Sequence, residues 1–198
     1  MRVKKVIVEM LLMDEIISPD EAEIVEYGLE NLGSSLLGMA ITLMLGYCLD
    51  FFLGSFLLWL LIYPLRKNAG GFHAKTKGHC LLFSSLLLLL SILCFVKFPW
   101  TEAGYISVTA VAFVIIFFMA PVENHNKCLD LTEYRVYKKR TRLLLLLEGT
   151  LFVAAVFFRL RELITVITID FFIVGISLVA GKFNLQMYKE YCFKERGL

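Results

Sequence analysis

Apolar stretches close to the length of a membrane crossing recur along this 198-residue chain, and they constrain its fold more than anything else in it. A spanning helix needs about 20 consecutive apolar residues, because inside the bilayer its backbone polar groups must satisfy one another. Segments near 32–49, 51–65, 78–98, 103–120, 143–158 and 163–181 approach that length. Hydrophobic residues make up 59% of the chain and charged residues only 19%, below the share usual in soluble domains. The mean hydropathy is +0.74. The sequence predicts an all-α integral membrane protein of about six transmembrane helices, forming a single polytopic domain over 1–198. Little length is left for a separate soluble catalytic domain, and no nucleic-acid partner is expected.

The flanking segments refine this picture. Residues 1–17 place Val3, Val6, Ile7, Met10, Met13 and Ile17 on one helical face, so an N-terminal amphipathic interfacial helix is expected. The basic start runs into an acid-rich segment, so no cleavable secretory signal is expected. Ser18-Pro19-Asp20-Glu21 is a helix-start signal. Pro64 is expected to end or kink the second span. With the N-terminus inside, the inner segments 1–17, 66–77, 121–142 and the tail hold 17 of the 20 Lys and Arg residues. That asymmetry predicts cytoplasmic termini, a cytoplasmic 66–80 loop and a cytoplasmic basic loop at 121–142. The five cysteines, at positions 48, 80, 94, 128 and 192, are irregularly spaced and read as free thiols.

The polar stretch Arg66-Lys-Asn-Ala-Gly-Gly-Phe-His-Ala-Lys-Thr-Lys-Gly-His-Cys80 interrupts this apolar chain. It joins a nucleophile, Cys80, to a base, His73. A histidine that takes the thiol proton activates a cysteine, and a helix N-terminus favours the thiolate. Cys80 falls where a helix should begin, while Gly70 and Gly71 permit a tight turn. His79 is a second possible base. The plain alternative is an inert apolar cysteine beside a solvated histidine. A metal site built from His73, His79, Cys80, His125 and Cys128 is a rival, although the spacing fits no common zinc pattern. Neither a metal nor a cofactor is predicted. Glu148 and Asp170 lie within spans, where an acid usually faces a bundle interior or cavity. Glu148 is a candidate to orient the histidine or contact substrate; Asp170 reads as an acid hydrogen-bonded to a neighbouring span.

Arg66, Gly70-Gly71, His73-Ala74 and Cys80 resemble the R-x-x-x-G-G-x-H-A-x(5)-C pattern of the AgrB family, the accessory gene regulator protein B of Gram-positive bacteria. Ala120-Pro121-Val122-Glu123-Asn124 with Asn126-Lys127 is similar to a second stretch of that family. The family often has proline where Cys128 stands here, which argues against a role for Cys128. The resemblance covers most of the chain. It implies a cysteine endopeptidase of the bacterial cell membrane, acting on a small precursor of a quorum-sensing autoinducing peptide.

By that resemblance Cys80 is the nucleophile and His73 its base, with an acyl-enzyme thioester resolved by cyclisation to a thiolactone or lactone. Arg66, Gly70, Gly71 and Glu148 are the expected loop-shaping or substrate-binding residues. A homodimer is implied in the same way. The lipid bilayer is the other expected partner. Two readings of other classes stand beside this one: a non-enzymatic peptide transporter or export channel using Glu148 and Asp170, and a His/Cys metal-binding membrane protein.

Overall fold

The computed structural model describes the backbone of residues 2–14, 16–72, 77–123 and 130–195, and side chains from residue 6 to 184 within those limits, Lys77 excepted. Among the described residues there are helices and no strand. The helices are α1 (Arg2–Met13), α2 (Ala22–Cys48), α3 (Phe52–Ala69), α4 (Lys77–Ile92), α5 (Glu102–Met119), α6 (Leu131–Phe157) and α7 (Arg161–Glu195). The chain forms two compact units, Met1–Ile41 and Thr42–Leu198.

In the first unit, α1 leaves Val6, Ile7, Met10 and Met13 of its predicted apolar face exposed. The helix-start signal acts as expected. The Ser18 N–H and hydroxyl both donate to Glu21 Oε2 at 2.9 Å, and Pro19–Glu21 forms a 3₁₀ turn that leads into α2.

In the second unit, α7 is the axis around which the other helices stand. It packs against α3, α4, α5 and α6. Ile164, Val166, Ile167, Ile169, Phe171, Val174 and Leu178 are buried on every side of it. A helix apolar all round belongs in an interior. The surrounding helices instead keep one open apolar row each, such as Leu82, Leu86 and Leu90 on α4 or Val111, Val114 and Phe118 on α5. These rows repeat every three or four residues, as a lipid-facing stripe does.

Four helical segments among the described residues are long and apolar enough to cross a membrane: Pro19–Cys48, Gly78–Lys97, Glu102–Met119 and Arg161–Asn184. The predicted second and fifth spans are helical too, within α3 and α6. Their apolar parts are shorter, stopping at Arg66 and starting after Arg142. About 15 residues rise only about 22 Å, against a hydrocarbon core of about 30 Å.

Of the two outcomes expected at Pro64, an end or a kink, the end does not occur. The helix runs on to Ala69, and Asn68 Nδ2 donates to the Pro64 carbonyl at 2.8 Å. A proline removes one helical hydrogen bond, and one such loss is tolerated where the next turn is otherwise held. The consequence is local: Arg66 sits on a helix rather than in the loop.

Candidate active site

The stretch 66–80 resolves into a helix end, a turn and a helix start. Arg66 occupies the last turn of α3, and the Gly70 N–H donates back to the Arg66 carbonyl at 3.0 Å. Gly70 and Gly71 have φ of 75° and 126°, a region that side chains strongly disfavour. Each glycine also permits a close approach. A Cβ on Gly70 would collide with the Val122 carbonyl oxygen, and one on Gly71 would stand 2.6 Å from Ser177 Oγ. The Val122 N–H donates to the Ala69 carbonyl at 2.9 Å, and Gly70 and Val122 form a single parallel bridge. The two stretches that resemble AgrB patterns, 66–80 and 120–127, therefore touch.

Phe72 ties three helices together. Its N–H is directed at Ser177 of α7, with the carbonyl oxygen at 2.8 Å and Oγ at 3.3 Å. Its carbonyl accepts from Arg66 Nη2 of α3 at 3.4 Å. Its ring packs on Phe83 of α4, with centroids 4.9 Å apart. Phe83 lies one helical turn beyond Cys80.

Because α4 begins at Lys77, Cys80 stands in its first turn, half-buried. There the N-terminal end of the helix dipole favours negative charge. Arg66 adds a cation close enough to interact electrostatically with the Cys80 sulfur. Removal from water lowers the Arg66 guanidinium below its ordinary range, and the Cys80 sulfur opposes that shift by favouring the charged guanidinium. His79 is exposed at the same helix start. His73 lies outside the described residues, as do Lys75, His125 and Cys128. Among the described residues, no group of three or more His, Cys, Asp or Glu side chains could hold a metal ion. Cys48 and Cys94 are free thiols.

Glu148 and Asp170 lie deeper in the bundle. They are 1% and 0% exposed, and their carboxyl groups face one another. Among the described residues, neither Asp170 oxygen nor Glu148 Oε2 accepts a hydrogen bond from a main-chain N–H or a cationic or hydroxyl side chain, so the polar group set against each acid is the other acid. Sequence position alone suggests different depths for the two acids. In the α6–α7 hairpin, however, both lie 11 residues from Arg159, and a tight antiparallel turn brings such positions level.

A family model described as Accessory gene regulator B matches residues 4–178. The chain belongs to the accessory gene regulator B family. The matched region contains Arg66, both turn glycines, Cys80, Val122 and Ser177. Membership in AgrB supports a role in processing a quorum-sensing peptide precursor, and the apolar helices agree with a membrane protein. No curated protein and no solved structure matches the chain.

Sequence reasoning had no ground for singling out Phe72 or Ser177. Phe72 occupies the free position of the G-G-x-H pattern, and Ser177 lies 105 residues away. The acting groups of Ser177 include a main-chain carbonyl, which every residue carries.

Proposed function

We propose that this AgrB-family protein is a membrane cysteine endopeptidase that removes the C-terminal part of a small autoinducing-peptide precursor. The observation that carries the proposal is the place of Cys80: half-buried in the first turn of α4, one turn before Phe83, on which the ring of Phe72 packs while its carbonyl accepts from Arg66. Helix dipole and guanidinium act in the same sense, toward a thiolate. His73, seven residues before Cys80, is the proposed base.

In this mechanism His73 takes the thiol proton and the Cys80 sulfur attacks the scissile carbonyl. A sulfur–carbon bond forms, the peptide C–N bond breaks, and the proton passes from His73 to the leaving amine. The product is an acyl-enzyme thioester. A nucleophilic side chain within the retained part of the precursor then attacks the thioester, releasing a cyclic thiolactone or lactone and restoring the thiol. One acyl ester replaces another, so no ATP is needed, and excluding water favours ring closure over hydrolysis. Gly70 and Gly71 shape the turn, Arg66 supports the thiolate, and Glu148 acts from within the bundle opposite Asp170. Six spans, cytoplasmic termini, a cytoplasmic catalytic loop and a homodimer complete the proposal.

The test is co-expression with a tagged precursor of the family type, reading the C-terminal fragment by mass spectrometry. Cys80→Ala should abolish the fragment and His73→Ala should strongly reduce it. Cleavage that survives Cys80→Ala would sink the endopeptidase reading and leave peptide export through the bundle as the better account. A test without substrate follows alkylation of Cys80 against pH, in the parent protein and in His73→Ala. Fast labelling at neutral pH that is lost in the variant is the expected outcome.

A further inference from the structure

We propose that Ser177 and Gly181 of α7 are positioning residues for the Cys80 thiol, acting through Phe72. The proposal rests on the reading of Cys80 as the nucleophile. It assigns part of the site to the helix farthest from it in sequence.

Gly181 is where α7 meets the loop most closely. A Cβ there would stand 2.6 Å from the Gly71 carbonyl carbon and 2.8 Å from the Phe72 nitrogen. Both are backbone atoms, so no side-chain rotation relieves the overlap and the loop itself must move. Glycine weakens a helix interior relative to alanine, and at this position it allows contact that alanine forbids. Gly175, on the same helix, is a built-in contrast. A Cβ there would meet the Ala112 methyl at 3.7 Å, an ordinary contact.

One turn before Gly181, Ser177 receives the Phe72 N–H on its carbonyl at 2.8 Å. A helical carbonyl keeps a second lone pair for such a bond. Phe72 passes its position on in two directions. Its carbonyl accepts from Arg66 of α3, and its ring rests on Phe83, one turn along α4 from Cys80. Pushing Phe72 off α7 therefore moves the Arg66 guanidinium and the first turns of α4 relative to each other. No atom of Ser177 or Gly181 needs to touch substrate.

The experiment uses the full chain in lipid nanodiscs and reads alkylation at each cysteine by peptide mass spectrometry across pH. Cys48 and Cys94 serve as internal references. Gly181→Val should slow Cys80 labelling at neutral pH about tenfold, within the range that misplacements of about 1 Å produce. Its Cys80 profile should move to higher pH while Cys48 and Cys94 keep theirs. Gly175→Ala should match the parent throughout. Arg66→Ala should reproduce the Gly181→Val effect, and the double variant should be no slower than Arg66→Ala alone, because both act on one contact.

Cys80 labelling in Gly181→Val at the parent rate would overturn the proposal. So would a loss that simply adds to that of Arg66→Ala, or equal slowing at all three cysteines. If the valine variant fails to fold, Gly181→Ala introduces the same Cβ with the least bulk and is judged by the same criteria. Precursor cleavage by Cys80→Ala would count against the peptidase reading alone, since the α7 contact is read from labelling without substrate.

Discussion

Two helical segments long and apolar enough to cross a membrane have almost the same peak hydropathy and opposite surroundings. The most apolar 18-residue window averages 2.5 in Gly78–Lys97 and 2.4 in Arg161–Asn184, yet 22% of the first window is buried within the protein and 72% of the second. Hydropathy reports that both suit an apolar medium; it does not say whether that medium is lipid or protein. Their polar residues do distinguish them. On α4, Ser84 and Ser91 donate to carbonyls of their own helix. On α7, Thr168 pairs with Thr109 of α5 at 2.9 Å, Ser177 meets Phe72, and Asp170 faces Glu148. A polar side chain that bonds only its own helix, as half-buried Ser84 does, needs no neighbouring helix. One that reaches across needs a neighbour, and so fixes where the helix sits.

The largest expected effect tests this contrast directly. Phe171 is fully buried on α7 and Leu86 is open on α4. Phe171→Ala should cost about 3 kcal/mol or more in unfolding free energy by leaving a cavity. Leu86→Ala should cost about 0.5 kcal/mol or less, since its contacts pass from side chain to lipid. Unfolding both variants by titration with a denaturing detergent would check this. Equal losses would mean that the α4 row is covered by protein.

A smaller effect separates the glycines on the two sides of the loop. Gly70→Ala meets both a φ of 75° and the Val122 carbonyl, and should cost roughly 1–2 kcal/mol along with most precursor cleavage. Gly78, at the start of α4, has nothing within 4 Å of a built Cβ. Gly78→Ala should fold at least as stably and keep its cleavage.

The smallest effect concerns the polar pairs. Thr168→Val should cost about 0.6 kcal/mol, the usual worth of a bond between membrane helices. The double variant with Thr109→Val should recover part of that, because neither partner is then left unpaired. Ser84→Ala on α4, half-buried and bonded to its own helix, should stay within about 0.5 kcal/mol of the parent.

Much of the architecture is legible along the chain. Apolar run lengths give the helices, and Ser18 with Glu21 gives the start that leads into α2. Gly78–Phe98 is expected as a span and Gly78–Lys97 is found. Of the site, the chain shows Arg66, Gly70, Gly71 and Cys80, because their types and spacing carry chemistry. Of the end or kink expected at Pro64, the end does not occur, because a well-held last turn carries α3 on to Ala69. The Phe72–Ser177 contact and the facing of Glu148 by Asp170 are not readable at all. Each joins positions whose distance depends on how helices pack, and one uses a main-chain carbonyl with no signature in residue type.

The sequence by itself determined that this is a helical membrane protein with a thiol at a helix start, because hydrophobic length, glycine turns and the chemistry of cysteine act over short separations. Only the tertiary structure decided that α7 is the axis, that Val122 bridges Gly70, and that Phe72 is held between α3, α4 and α7. Those are relations between segments, and among helices equally suited to lipid they are set by close packing and by which polar groups find a partner.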